Sequence, residues 1–397
     1  MENLLQRSMV RQLLLKIGSL QFDRNELAGA IGDLGTFIPL VTALIIWNGL
    51  DPKGIFLSFG LLYIYTALVF RVPIAVQPMK AIAAIMITQA LQPSLLLGAG
   101  ILIGIVFIVL AFSGAIDRIN RVTPRSVVRG IQLGLGLNLI LVAFRFMQRD
   151  SINGWILSII GVVAVLVLFK NKKFPPALAL LGIGVGFSIF DGFPLEVFAN
   201  NIGFDSPTLF APANIDFVQA GLMLVIPQIP LTIGNAILAT SLLCQDYFPK
   251  KKNISIKRLT LSHGIMNLIA VLLGGIPICH GAGGLAGHHR FGARTGGALV
   301  IIGVFMLVLG LFYSNAVLQI LSLFPFSMLG VLLFFSGLEL TLTIKDESLS
   351  KSDFFVALFV AALSIAVQYG YALGLVGGIV LANLTRKISL RKHLRLP

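Results

Sequence analysis

The chain has 397 residues, of which 57% are hydrophobic and 12% are charged, whereas an average soluble domain is about 45–50% apolar and about 25% charged. Charge-free apolar runs such as residues 95–115 and 298–312 approach the roughly 20 residues that a membrane-spanning helix needs. The composition therefore excludes an ordinary soluble domain and indicates a polytopic, all-α membrane protein. No H-E-x-x-H, P-loop or G-x-S-x-G motif occurs, so the sequence favours neither an enzyme nor a bound cofactor.

Breaking the apolar runs at charges and at Pro, Gly and Asn turns predicts fourteen membrane segments, seven on each side of a polar loop. In chain order they are 27–46, 55–70, 72–90, 94–115, 127–147, 154–169, 174–191, 217–243, 259–275, 276–289, 297–313, 318–343, 353–367 and 371–385. The predicted organisation is a cytoplasmic lead-in (1–25) that forms an amphipathic surface helix, a first repeat (26–191), an external loop (192–216), a second repeat (217–385) and a cytoplasmic tail (386–397).

The basic residues test this layout, because Lys and Arg collect in the cytoplasmic loops of membrane proteins. With the N-terminus inside, all but four of the 30 Lys and Arg residues fall in inside loops or in the tail. The exceptions are Lys53, Arg145, Arg149 and Lys80, and only Lys80 falls within the membrane. Topology thus explains the net charge of +14, and a nucleic-acid partner loses its support. We expect a multi-pass protein of the cell (inner) membrane, surrounded by lipid, with both termini cytoplasmic.

Seven segments followed by seven place the second half upside down relative to the first, as in transporters built from inverted repeats. Such repeats are expected to carry matching interrupted segments. The third segment contains "VPIAVQPMKAIAA" (72–84), and the tenth contains "IPICHGAGGLAG" (276–287), which also opens with a proline. The first and eighth segments share "IPL" at 38–40 and 229–231.

The prolines predict how the two interrupted segments fold. A proline disfavours helical geometry in the residue before it and suits the first turn of a helix. We therefore expect Ala75 to Gln77 to be extended, with Gln77 as cap and Pro78 as first residue of a half-helix, and 276–279 to be extended before a second half-helix that starts around Gly281 to Gly283. Two half-helices that start at the midplane from opposite sides direct free N–H groups and dipole ends at one point, which favours an anion. Lys80 adds a full positive charge there.

Other interpretations of these residues stay open. Lys80 can instead be a structural partner of Asp33 or Glu339, although ionisable residues within membranes are often functional. Glycine-rich membrane segments commonly serve close helix packing. We expect His288 and His289 to have a loop role, because adjacent residues do not converge on one metal ion.

Four stretches closely resemble the signatures of the molybdate transporter family related to the sulfate permeases. They are "GAIGDLGTFIPLVTAL" (29–44), "VPIAVQPMKAIAAI" (72–85), "PQIPLTIGNAILAT" (227–240) and "PICHGAGGLAGHHRFGARTGG" (277–297). The resemblance covers nearly the whole chain and implies fourteen segments in two inverted repeats, divided into a core domain and a gate domain. It also implies a substrate site between the third and tenth segments. The implied substrate-binding residues are Thr36, Gln77, Met79, Lys80, Gln228, His280, Gly281, Ala282, Gly283 and Gly284.

The resemblance implies a secondary transporter that imports molybdate by alternating access. The neutral Gln228 stands where nucleobase relatives are expected to carry an acidic side chain, which favours an oxyanion. The C-terminal regulatory domain of typical sulfate permeases is expected to be absent, as is common in the molybdate branch. The alternatives are a carrier of sulfate or another anion, and an uncoupled exchanger or channel. We expect Asp33 to bind a coupling ion, a proton or sodium, unless it caps a helix break or pairs with Lys80. A homodimer is a further expectation.

Overall fold

The computed structural model describes residues 20–168, 175–190, 196, 201–206, 215–251, 254–345 and 349–393. The helices in these ranges are α1 (Arg24–Asn48), α2 (Pro52–Phe70), α3 (Lys80–Gln89), α4 (Pro93–Ser113), α5 (Ile116–Val122), α6 (Arg125–Arg149), α7 (Ser151–Leu168), α8 (Pro176–Phe190), α9 (Phe217–Tyr247), α10 (Ile256–Leu272), α11 (Ala282–Arg290), α12 (Gly297–Phe312), α13 (Ser314–Ser322), α14 (Phe326–Leu342), α15 (Lys351–Ala366) and α16 (Gly370–His393). The two strands are β1 (Gln77–Pro78) and β2 (Ile278–Cys279).

The protein is a multi-pass membrane protein. In the described part of the chain, five helices are long and apolar enough to cross a membrane, or six if α12 and α13 form one bent span. Shorter apolar helices lie between them, among them α3, α8 and α14. The helices follow the predicted segments in order. The predicted surface helix at 1–25 falls mostly outside the described residues.

The structure corrects the predicted layout of segments and loops at three places. The segment predicted at 318–343 is two helices, because α13 bends by 84° away from α12 and α14 begins only after Pro325. A short helix, α5, occupies a predicted loop. The last helix continues beyond the predicted end of its membrane segment, to His393.

Helices of the first half pair with helices of the second half through glycine contacts. In the α2–α12 pair, a Cβ atom on Gly60 would lie 2.8 Å from the Gly303 carbonyl oxygen. In the α6–α14 pair, a Cβ atom on Gly136 would lie 2.6 Å from the Gly337 carbonyl oxygen. The α4–α10 pair meets in the same way. Since α2 and α10 hold equivalent places in the two repeats, as do α12 and α4, this pairing pattern is that of an inverted repeat.

The helices form two bundles. We call α1–α4 and α9–α12, with both strands, the core bundle, since α12 packs on α2 and α10 on α4. We call α6–α8 and α14–α16 the gate bundle, since α14 and α15 both pack on α6. The bundles meet where α1 contacts α14 and α8, and where α3 contacts α6. This boundary passes directly beside α3, the helix of the first interrupted segment.

The loop between α8 and α9 is tied to the core bundle at Asp205. Lys53 Nζ lies 2.8 Å from Asp205 Oδ1, and Ser314 Oγ donates to Asp205 Oδ2 at 3.1 Å. Hydrogen bonding to Lys53 lowers the pKa of the Asp205 carboxyl. The two side chains are partly exposed to solvent, so we expect the contribution of this ion pair to stability to be small.

Candidate functional site

Two interrupted segments cross at the centre of the core bundle. Strands β1 and β2 pair antiparallel, with Gln77 opposite Cys279 and Pro78 opposite Ile278. The Met79 N–H then donates to the Pro277 carbonyl at 3.0 Å. The expected extended stretches before both half-helices are thus confirmed. Gln77 and Pro78 lie in the strand, however, and the first half-helix begins only at Lys80.

The N-terminus of the first half-helix, α3, is capped from another segment. The side-chain Oε1 of Gln228, on α9, accepts hydrogen bonds from the N–H groups of Ala81 (3.0 Å) and Ile82 (3.3 Å). Gln228 Nε2 donates to Thr232 Oγ1 at 2.9 Å, which fixes the amide. Gln228 is buried, so its structural position is that of a helix cap. The N–H groups of Ala81 and Ile82 are therefore already bonded, and Lys80 is the group that brings a positive charge to the start of α3.

The N-terminus of the second half-helix, α11, has different surroundings from that of α3. It begins at Ala282 after Gly281, with no side-chain cap. A Cβ atom on Gly284 would lie 2.6 Å from both Asp33 Oδ1 and Gln77 Nε2, and Gly281 is covered by the Gln77 side chain. Gly283 is exposed, and a Cβ atom there would meet nothing within 4 Å. The first turn of α11 therefore presents bare backbone to open space at Gly283.

Asp33 lies behind this turn. It ends a 3₁₀ turn within α1, and its Oδ1 accepts a hydrogen bond from Gln77 Nε2. Asp33 is 3% exposed, and its Oδ2 has no hydrogen-bond partner in the described part of the protein. A buried carboxylate oxygen without a partner is unfavourable unless it binds a proton or a cation.

Lys80 faces the boundary between the bundles. A cavity of about 10 Å³, enough for about one water molecule, is lined by Lys80 and Thr36 from the core bundle and by Ser336 and Glu339 from the gate bundle. Among the described residues, Lys80 makes no ion pair within 4 Å with Asp33 or Glu339. Lys80 is therefore not held in a permanent salt bridge, and the structural interpretation of this residue is weakened.

A buried histidine network holds β2 and the start of α11. The backbone N–H of His280 donates to His263 Nε2 at 3.0 Å, and His263 Nδ1 lies 2.7 Å from the Leu259 carbonyl oxygen. His280 Nδ1 lies 3.0 Å from the Ala75 carbonyl oxygen, and its Nε2 lies 2.9 Å from Ser262 Oγ. Since His263 Nε2 accepts a hydrogen bond, its proton lies on Nδ1. The N–H of His280 is thus already bonded, and its fully buried ring positions the crossing strands.

Two more buried residues, Asn267 and Met79, support the junction. Asn267 holds Ile278 through both ends of its side-chain amide, because Nδ2 donates to the Ile278 carbonyl at 2.8 Å and Oδ1 accepts from the Ile278 N–H at 2.9 Å. Met79, predicted as a substrate contact, is 1% exposed and serves as the residue that precedes α3. The sequence analysis did not single out His263 or Asn267. Polar residues on an otherwise apolar helix were the available signal.

The two ends of the bundle boundary differ. At one end, which we call the basic end, a cavity of about 860 Å³ lies between α9 and the gate bundle, lined by Arg125, Arg129 and Lys345 among others. We call this cavity the vestibule. It is large enough to admit a small ligand.

The opposite end of the boundary is closed by aromatic contacts. Trp47 of the core bundle contacts Phe146 of the gate bundle with ring centroids 4.7 Å apart. Phe146 contacts Phe326 at 5.5 Å, and the Arg149 guanidinium lies 4.1 Å from the centre of the Phe326 ring. The junction is thus separated from this end by a packed cluster.

The loop role expected for His288 and His289 is wrong, since both lie in the last turn of α11. His288 is fully buried and its Nδ1 lies 2.7 Å from the Gly29 carbonyl oxygen. His289 stacks on Tyr247 with ring centroids 4.0 Å apart. Within the described ranges, no group of three or more His, Cys, Asp or Glu side chains could hold a metal ion.

The fold defines the class of protein. The murine anion transporter Slc26a9, in the inward-facing state, matches 96% of this chain with a TM-score of 0.71 and 15% identity, over 72% of its own length. The transmembrane domain of the cyanobacterial bicarbonate transporter BicA matches 90% of the chain with a TM-score of 0.60 and 14% identity, over 97% of its length. The chain therefore has the fold of these membrane transporters.

Sequence comparison identifies the family. Residues 25–139 and 220–340 match the family model described as "Molybdate transporter of MFS superfamily". "Molybdate transporter 2" of Arabidopsis thaliana is 32% identical over 412 residues, covering 90% of this chain and 86% of the relative. "Molybdate transporter 1" of the same plant is 30% identical over 406 residues, covering 89% of this chain and 86% of the relative. The chain belongs to this molybdate transporter family, as its signature stretches predicted, and its relatives are transporters rather than enzymes.

Proposed function

We propose that this protein imports molybdate, a tetrahedral divalent oxyanion, by alternating access of the site between the core and gate bundles. The observation that carries the proposal is the junction itself, where Lys80 and the open backbone at Gly283 lie at the start of two opposed half-helices. The uncapped start of α11 offers N–H groups and the positive end of a helix dipole to an anion, and Lys80 at the start of α3 offers a positive charge. The names of the Arabidopsis relatives support molybdate as the anion.

The proposed orientation places the basic end in the cytoplasm, with both termini inside and the protein in the cell membrane. The distribution of Lys and Arg supports this orientation. In it, the vestibule opens inward and the cluster of Trp47, Phe146 and Phe326 closes the outside. The cavity beside Lys80 holds about one water molecule, so the bundles must separate before a molybdate ion can reach Lys80.

Import against an inside-negative membrane needs coupling to a cation. Moving two negative charges inward costs about 4.6 kcal/mol at 100 mV, from about 2.3 kcal/mol per charge. Asp33 is the proposed coupling residue. Its Oδ2 has no hydrogen-bond partner among the described residues, and its Oδ1 accepts a hydrogen bond from Gln77, whose side chain covers Gly281 at the start of α11. A proton on Asp33 would compensate one of the two charges.

Competitive uptake into proteoliposomes tests the function. We expect labelled molybdate to accumulate in a proton gradient and to be displaced by excess unlabelled molybdate or tungstate at lower concentrations than by sulfate. Displacement by sulfate at lower concentrations than by molybdate would assign the protein to sulfate instead. Molybdate flux that never exceeds equilibrium in either a proton or a sodium gradient would indicate an uncoupled exchanger or channel.

A further inference from the structure

Glu339 is a charged residue of the gate bundle that faces the anion site. It lines the small cavity together with Lys80 and Thr36, and both Glu339 and Lys80 act electrostatically on Asp33. Yet Glu339 makes no hydrogen bond or ion pair within the described part of the structure. Its charge therefore serves no visible structural purpose in α14.

Glu339 also has access to the vestibule. Residues four apart lie on the same face of a helix, so Glu339 lies above Thr343, which lines the vestibule. Ser336 lies on the same face, three residues before Glu339, and lines the small cavity. Glu339 is exposed, whereas Asp33 is 3% exposed. A polar stripe on α14 thus leads from the anion site to the basic end.

The charged groups that face Glu339 are few. Lys80 of α3 lines the same small cavity as Glu339, and Asp33 of α1 lies within electrostatic range of both. The helices that pack against α14 within the gate bundle, α6, α7 and α8, add none at this depth: α6 has no titratable residue between Arg129 and Arg145, and α7 and α8 have none at all. The electrostatics of the site therefore depend on one cation and two carboxylates.

The charges in the site limit what can accompany a divalent anion. With Lys80 and both carboxylates ionised, the empty site carries a net charge of about −1, and a dianion would make it about −3. Asp33 is buried in this site, and unpaired charge is strongly unfavourable where it is buried. With one proton bound, the loaded site carries a net charge of about −2. Two protons, one on each carboxylate, return it to the charge of the empty site.

We propose that Glu339 is a second proton carrier, which takes up a proton when the dianion binds beside Lys80 and releases it into the vestibule. With Asp33 carrying the other proton, two protons accompany each molybdate and transport is electroneutral. The inference rests on the proposed function, since it assumes molybdate uptake coupled through Asp33. It goes beyond that function by setting the stoichiometry and by giving the gate bundle a coupling residue.

Purified protein in proteoliposomes tests this with two readouts, an internal pH dye for proton flux and a potassium–valinomycin clamp for membrane potential. For the wild type we expect two protons per molybdate and the same accumulation ratio with or without an inside-negative potential. Glu339→Gln should carry one proton per molybdate, and its accumulation ratio should fall about 50-fold per 100 mV. That factor follows from about 2.3 kcal/mol per charge per 100 mV and about 1.36 kcal/mol per tenfold change.

Two control variants make the test specific. Glu339→Asp keeps a carboxylate and should keep two protons per molybdate. Asp246→Asn removes an exposed carboxylate near the end of α9 and should behave as the wild type. Three results for the wild type would overturn the proposal, even if the Glu339→Gln variant does not fold. They are uptake with one proton or none per molybdate, uptake driven by sodium without proton movement, and an accumulation ratio that falls about 50-fold per 100 mV. A wild type that takes up no molybdate in any gradient would overturn the proposed function itself, and the inference with it.

Discussion

The two half-helices share a backbone arrangement but differ in chemistry. Both follow an extended stretch with a proline, and their strands pair with each other. The first half-helix, α3, carries Lys80 at its start, and the Gln228 side chain occupies two of its N–H groups. The second, α11, has no side-chain cap and is open at Gly283. In the proposed site, one repeat thus contributes a positive charge and the other contributes backbone N–H groups.

This difference indicates how two structurally equivalent half-helices can present chemically different groups to one ligand. A tetrahedral dianion needs compensation of charge and several hydrogen bonds, and charge-assisted hydrogen bonds are the stronger kind. In the proposed site, Lys80 contributes mainly affinity, and the first turn of α11 contributes mainly the fit of the anion. Variants on the two half-helices should therefore fail in different ways.

The largest effect is expected from Gly283→Val. A branched side chain would fill the space where the anion meets the backbone, so we expect uptake to be abolished while the protein stays folded, because a Cβ atom there meets nothing within 4 Å. Gly182→Val, on α8, also meets nothing within 4 Å and serves as the matched control. Normal uptake by Gly283→Val would remove α11 from the site.

Asp33→Asn should separate binding from coupling. The amide cannot carry the coupling proton, so we expect gradient-driven accumulation to be lost while counterflow exchange of labelled molybdate is retained. Both activities are measured in the same proteoliposomes. Joint loss of both, together with a lower melting temperature, would mean that Asp33 has a structural role as the partner of Gln77.

Lys80→Ala should weaken binding without unfolding the protein. Loss of a charge-assisted contact costs about 1.5–3 kcal/mol, which corresponds to an affinity roughly 10- to 150-fold lower in equilibrium binding of labelled molybdate. Lys53→Ala, which breaks the ion pair with Asp205, is the control and should bind as the wild type does. Unchanged affinity in monodisperse Lys80→Ala protein would show that Lys80 is structural.

Gln228→Ala should have the smallest effect on binding and a clear effect on stability. It leaves the N–H groups of Ala81 and Ile82 without their cap, and loss of a helix cap costs about 0.5–2 kcal/mol. We expect a lower melting temperature with a change in molybdate affinity of only a few-fold. A loss of affinity as large as that of Lys80→Ala, at an unchanged melting temperature, would make Gln228 a direct ligand.

The sequence predicted the extended stretches and half-helices because proline acts locally, on its own residue and the one before it. It did not predict the cap on α3, since Gln228 lies on a different segment 146 or 147 residues away from the N–H groups it accepts from. The separate helix α13 was missed because its apolar residues and those of α14 form one nearly continuous apolar stretch in the sequence. His263 was missed because a buried histidine has no periodic signal, and only the fold brings its Nε2 to the His280 N–H.

The location of bound molybdate tests the central claim most directly. Molybdenum scatters strongly, so a cryo-electron microscopy map or an anomalous difference map of the protein with molybdate would show its position. We predict a peak between Lys80 Nζ and the backbone N–H groups of Ala282 to Gly284, absent in Lys80→Ala protein at the same molybdate concentration. A peak confined to the vestibule beside Arg125 and Lys345, with none at the half-helix junction, would contradict the account.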